Sequence, residues 1–146
     1  YEALSYVWGR PLLSQRIQVN GQPYWVTESV YQVLCRLRRP RSTRTVWIDA
    51  LCVNQADFAE RGAQVLLMTR VYEEATRTIV WLGEKAAPWG SASTLRPLKI
   101  GYGDVRVISQ ILKNPWWTRV WVIQELVLAR QVVMCCGPHS ITWDNF

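Results

Sequence analysis

TVWIDALCVNQADFAERGAQVLLMTRVYEEATRTIVWL, running from Thr45 to Leu82, reads as strand, helix, strand. Thr45 to Ile48 is a short run of β-branched and aromatic residues, the composition of a buried strand. Asp49 sits at its carboxyl edge. Asp57 and Glu60, three residues apart, resemble a capping box with Asp in place of Ser or Thr. The helix they open carries Val65, Met68, Tyr72 and Ala75 on one side. Thr78 to Leu82 is a second buried strand, closed by Gly83. A strand, a helix and another strand in this order make the unit from which parallel α/β sheets are built.

The flanking segments extend that unit. Upstream, Ala3 to Trp8 reads as a short buried strand ended by Gly9-Arg10-Pro11. Ile17 and Val19 alternate with polar residues before Asn20-Gly21, a strong hairpin turn signal, and Tyr24 to Val26 is the return strand. Thr27 suits the N-cap of a helix with Val30, Val33, Leu34 and Leu37 as its apolar stripe, and Pro40 stops it. Downstream, residues 85–103 are rich in Pro, Gly and Ser and read as a variable loop inside one domain. Residues 104–112 read as a short helix. Gln131 to Cys135 and Ile141 to Trp143 read as strands around Gly137-Pro138. The expected fold is a three-layer α/β domain, with a mainly parallel sheet flanked by helices and a β-hairpin insertion. Ligands of such sheets bind outside the carboxyl ends of the strands. Trp8-Gly9, Asp49 to Gln55 and Gly83-Glu84 all follow strands and are expected to line that rim.

The 146 residues suit a single domain, and a hydrophobic share of 49% argues against disorder. The chain opens directly on a strand-like segment without Met, so the domain is expected to be part of a longer protein. No apolar run is long enough to cross a bilayer, and no signal peptide is visible. Four cysteines without regular spacing suggest free thiols and a cytoplasmic setting rather than a disulfide framework. The net charge of +6 comes mainly from arginine, densest at Arg36, Arg38, Arg39, Arg41 and Arg44. The plainer reading is a solvated helix end. The sharper one is an anion site for phosphates or acidic lipid headgroups. Nucleic acid is not expected, because no reader motif accompanies the charge. Cys135, Cys136 and the lone His139 lack a second ligand pair, so no metal site is expected, and nothing in the sequence joins Cys52 to His139 as a nucleophile–base pair.

Asn114 to Ala129 reads as one helix, apolar on nearly all sides, with Asn114 as N-cap and Pro115 at the first position. Trp117, Trp121 and Glu125 would then share a face. A carboxylate among indoles is costly unless paired, hydrogen-bonded or neutral. Chemistry often exploits such a group, since burial raises a carboxyl pKa toward neutrality. The competing reading is a structural ion pair with Arg119 or Arg130.

Three blocks in this chain resemble one family. Tyr1-Glu2-Ala3-Leu4-Ser5-Tyr6-Val7-Trp8-Gly9 is similar to the opening motif of the fungal HET (heterokaryon incompatibility) domain. Trp47 to Gln55, with Glu60-Arg61, Gln64-Val65, Met68, Tyr72, Ala75 and Trp81-Leu82-Gly83, is similar to its central block, and Asn114 to Ala129 to its third. The resemblance implies an intracellular fungal domain that triggers cell death after non-self recognition, driven by an upstream sensor or by nucleotide-binding regions of the same or a partner protein. The stretch between Gly83 and Asn114 is short for that family. A more distant resemblance, to TIR domains, rests on Leu4-Ser5-Tyr6 and on Trp121 to Leu126. It implies a TIR/flavodoxin-like sheet, homo-oligomers, and cleavage of NAD with Glu125 as the catalytic carboxylate. NAD enters as substrate, with no cofactor and no metal. Ser5, Tyr6, Trp8, Gly9, Arg10, Asp49, Asn54, Gln55 and Trp121 are the residues then expected around it. Trp8 or Trp121 would stack on a ring, Ser5, Asp49, Asn54 and Gln55 would position ribose and amide, and Arg10 would meet the pyrophosphate. The alternative is a non-catalytic self-association module in which Glu125 only stabilises its helix. A membrane is not the expected partner, although a membrane-active role for the Arg36 to Arg44 stretch stands as a third alternative.

Overall fold

The structure is a computed structural model that describes residues 1–84, 109, 111–137 and 139–146. The expected loop over 85–103 and most of the expected helix over 104–112 lie outside the described residues. Seven strands are found among the described residues: β1 (Glu2–Tyr6), β2 (Leu13–Val19), β3 (Gln22–Thr27), β4 (Val46–Trp47), β5 (Arg77–Trp81), β6 (Val132–Cys136) and β7 (His139–Thr142). The helices are α1 (Glu28–Leu37), α2 (Asp49–Cys52), α3 (Phe58–Glu74) and α4 (Val122–Val127), with 3₁₀ turns at Pro115–Thr118 and Trp143–Asn145.

Five strands form one sheet in the order β4-β1-β5-β6-β7. The β1–β4, β1–β5 and β5–β6 pairs are parallel, and β7 returns antiparallel to β6. With the hairpin set aside and the sheet strands renumbered along the chain, they lie across the sheet in the order 2-1-3-4-5, which places a topological switch point beside β1. The chain leaves β1 toward β4 and comes back to β5 on the other side, so the carboxyl end of β1 is where a crevice opens.

Local signals account for most of the elements. Asn20 and Gly21 take φ of 52° and 77°, as the two central residues of a tight hairpin turn between β2 and β3 require. Thr27 caps α1 by accepting from the Val30 amide. Asp57 caps α3 through the Ala59 and Glu60 amides. Glu60 completes no capping box with Asp57. It accepts instead from the Asn54 amide at 3.0 Å, tying the α2–α3 loop to the helix.

Side chains of successive strand residues point to opposite faces, and the core divides accordingly. Leu4, Tyr6, Ile79, Trp81 and Cys135 pack on one face with Val30, Val33 and Leu37 of α1. On the other, Ala3 packs against Tyr72 and Ala75 at the end of α3, while Val80, Val132, Met134 and Cys136 pack against Trp116 and Val122.

The stretch from Asn114 to Ala129 is not one helix. The Asn114 side chain accepts from the Trp116 amide and donates to the Leu82 carbonyl at 2.8 Å, so the cap is tied to the end of β5 and opens only a 3₁₀ turn. The backbone is extended at Arg119 (ψ 133°), and α4 starts afresh at Val122. The shared face of Trp117, Trp121 and Glu125 is therefore lost. Trp116 becomes the fully buried indole, and Val120, Ile123 and Val127 are 82%, 70% and 76% exposed rather than sealed in.

At the amino end of the sheet Glu2 is buried and bound by Arg44 and Arg77. Burial alone would raise its carboxyl, but hydrogen bonds and charge from the two guanidinia outweigh this and hold it below its ordinary value of 4.5. A carboxyl lowered on folding contributes stability that is fully present above pH 4.5 and is lost as the pH falls through its folded value. Urea midpoints measured from roughly pH 6 down to 3 should drop more steeply for the native chain than for Glu2→Gln. Equal slopes would mean that Glu2 is unpaired in solution.

Candidate functional site

A cleft of about 300 Å³ lies at the carboxyl ends of β1 and β4, bounded by α3 and the turn before α4. Trp8, Trp47 and Trp121 supply indole walls, Arg61 and Arg119 two cations, Asp49 a carboxylate, and Gln55 and Gln64 two amides. The backbone builds it from three places. β1 ends at Tyr6 and delivers Trp8, β4 delivers Trp47 and Asp49, and α3 presents Arg61, Gln64, Val65 and Met68 at one-turn spacing. Asp49 is held in place on both oxygens: Oδ2 accepts from Trp8 Nε1 at 2.7 Å and Oδ1 from the Ala50 amide at 2.7 Å. Gln55 Nε2 donates to the Asp49 carbonyl at 3.0 Å, and the Arg61 guanidinium lies 4.7 Å from the centroid of the Phe58 ring.

Behind the cleft sits a buried polar knot. Glu125 is fully buried. Arg119 donates Nη1 to its Oε2 at 3.0 Å and Nη2 to its Oε1 at 2.8 Å, a bidentate pair. Ser5 Oγ donates to Glu125 Oε2 and accepts from Trp116 Nε1 at 2.6 Å. The Tyr72 hydroxyl donates to the Leu4 carbonyl at 3.2 Å. Burial, then the charges of Glu125 and Asp49, push the Tyr72 phenol well above its ordinary range. Burial and the Asp49 charge do the same to Tyr6. Both phenols are therefore neutral; Tyr72 donates to Leu4, while the buried Tyr6 hydroxyl has no hydrogen-bond partner among the described residues.

The structure gathers Trp8, Asp49, Gln55 and Trp121 in one cleft, as the rim argument expects. Ser5 and Glu125 are buried behind Arg119, which borders the opening, and Tyr6 is buried on the opposite face of the sheet against α1. Of the two ion-pair partners open for Glu125, Arg119 is the one used; Arg130 donates instead to the Glu73 carbonyl. Gly9 and Arg10 line a neighbouring hollow with Glu28 and Gln32. Gly9 has a backbone role there, since its φ of 71° is costly for any residue with a Cβ. Asn54 is spent locally, accepting from the Ala56 amide at 3.1 Å. Cys52 follows β4 at one edge of the sheet, and His139 opens β7 at the other. Among the described residues no three His, Cys, Asp or Glu side chains come together in a metal-like group.

Arg61 and Gln64 were not foreseen at the site, although Arg61, Gln64 and Met68 fall at i, i+3 and i+7 and so share a face of α3. Trp116 was not foreseen either, because a single continuous helix gave it no special position.

The family model described as heterokaryon incompatibility protein (HET) matches residues 1–100, more than half of the chain. The chain belongs to the HET family. A curated relative of this HET domain, heterokaryon incompatibility protein 6 (OR allele) of Neurospora crassa, is 27% identical over 199 residues, covering 97% of this chain. The domain spans 29% of that relative's length. No solved structure matches the domain. Among its described residues no helix is long and apolar enough to cross a membrane.

Proposed function

We propose that this HET domain acts in fungal non-self recognition as a cell-death effector, cleaving NAD or a related nucleotide at the nicotinamide–ribose bond in the cleft lined by Trp8 and Trp121. The biological half draws on family membership and on the Neurospora crassa relative, whose name refers to heterokaryon incompatibility. The chemical half is carried by one observation: Arg119 borders the cleft and at the same time engages both oxygens of Glu125.

In the conformation described the carboxylate is latched shut. A diphosphate entering the cleft offers the guanidinium a second bidentate partner. Drawing Arg119 onto that diphosphate uncovers Glu125 beside the ribose, within a pocket whose indoles suit the flat nicotinamide and adenine rings. The C–N bond then breaks, and its electron pair leaves with the nicotinamide nitrogen. The ribose passes through an oxocarbenium-like state, whose positive charge Glu125 stabilises. Water adds at the same carbon and loses a proton, giving ADP-ribose, nicotinamide and H⁺.

A second reading is a non-catalytic self-association module. It is favoured by the complete burial of Glu125 and by the exposed Phe58 and Leu66 on α3 with Val120, Ile123 and Val127 around α4.

Nicotinamide release from NAD separates the two, measured on dilute and self-associated protein beside Glu125→Gln. The enzyme reading expects turnover that falls by about 100-fold or more in a variant whose circular dichroism is unchanged. Absence of turnover in every assembly state leaves the association module.

A further inference from the structure

The amino end of the sheet carries a second feature, unconnected with the cleft. A cavity of about 450 Å³ opens between the end of α1 and the strands β5, β6 and β7. Arg36, Arg38, Arg39, Arg44 and Arg77 line it together with the Ser140 residue, and no carboxylate is among its lining residues. A neighbouring cavity of about 580 Å³ shares Arg38, Arg39 and Arg44 and adds Arg16.

Two of these arginines are fixed in place. Glu2 grips Arg44 and Arg77 from below, and Arg44 also donates Nη1 to the Leu37 carbonyl at 3.2 Å and Nη2 to Glu2 at 3.0 Å. Their side chains are only 18% and 33% exposed, so they are ordered before any ligand arrives. Among the described residues the hollow is lined by five arginines and no carboxylate, with Glu2 pairing Arg44 and Arg77 beside it. Burial raises the Cys135 thiol, which lines the same hollow, to about 11, against the pull of Arg36, Arg44 and Arg77. The planar forks of these guanidinia match phosphate oxygens in pairs.

We propose that this cavity is a binding site for a compact, multiply phosphorylated anion, such as a ring bearing several phosphates, either free or as the headgroup of an acidic lipid. A single phosphate uses one or two of the forks; several phosphates on one ring use both the rigid Arg44–Arg77 pair and the Arg38–Arg39 arm. The latter straddles both cavities and supplies the part of the site whose removal leaves the Glu2 ion pairs intact.

The test is calorimetric titration of the protein with inositol hexakisphosphate and with inorganic phosphate at about 50 mM salt, beside vesicle sedimentation with phosphatidylinositol bisphosphate or with phosphatidylserine at equal surface charge. The expected result is saturable binding of the hexakisphosphate at least about tenfold tighter than of inorganic phosphate. Arg38→Ala/Arg39→Ala should weaken it at least about tenfold, with unchanged circular dichroism. Bisphosphate vesicles that bind, lose the protein to added hexakisphosphate and outcompete phosphatidylserine assign the lipid source; binding of the free anion alone assigns the soluble one. No binding of either source, equal binding of inorganic phosphate, or full affinity in the double variant overturns the proposal.

Discussion

Arg119→Ala is expected to destabilise the domain by about 3–5 kcal/mol, the cost of leaving a buried carboxylate without its cation. Glu125 has no contact with solvent, and both of its oxygens are engaged by one guanidinium whose own side chain is only 21% exposed. Ser5 then remains as a hydrogen-bond donor to the group. The loss should appear in urea denaturation as a lower midpoint with an unchanged slope. Arg119→Met with Glu125→Leu should recover much of it, because two apolar side chains of similar volume replace a buried ion pair at little net cost. If Arg119→Ala alone costs less than about 1 kcal/mol, the pair behaves like an exposed one and the latch invoked for the cleft does not exist.

Trp116→Ala should cost a similar amount, about 3–5 kcal/mol, through a different mechanism. The indole is fully buried, packs edge-on against Trp117 at 4.8 Å between centroids, and donates Nε1 to Ser5. Truncation opens a large void under Val80 and Met134 and removes a donor from the hydroxyl that holds Glu125. Trp121→Ala is the contrasting variant. Trp121 is 39% exposed and borders the cleft, so its loss should change stability by no more than about 1 kcal/mol while weakening any ring stacked there. Thermal melts of the two variants decide this. Equal losses would mean that Trp121 is a core residue in solution.

The two tryptophans also mark how far the sequence could be read. Asn114-Pro115 announced a helix start correctly, and Asn114 does cap a turn. The propensity of the next fourteen residues then argued for continuation, since nothing in them breaks a helix. The break comes with contacts outside local propensity: Asn114 is bonded to the end of β5, and Arg119, in extended backbone, carries its guanidinium to Glu125. Asp49 was legible as a rim residue because it follows a strand. Its bond to Trp8, 41 residues away, was not.

The hairpin at Asn20-Gly21, the caps at Thr27 and Asp57 and the buried strands were determined by the sequence alone. Each depends on the backbone preferences of a few neighbouring residues, which the tertiary structure here leaves in place. That Glu125 is sealed against Arg119 in the conformation described was decided only in three dimensions. Its partner Ser5 lies 120 residues away. The choice between solvent, cleft and guanidinium is made by packing that brings β1, the 3₁₀ turn and α4 together, and no local propensity encodes which of them the carboxylate will meet.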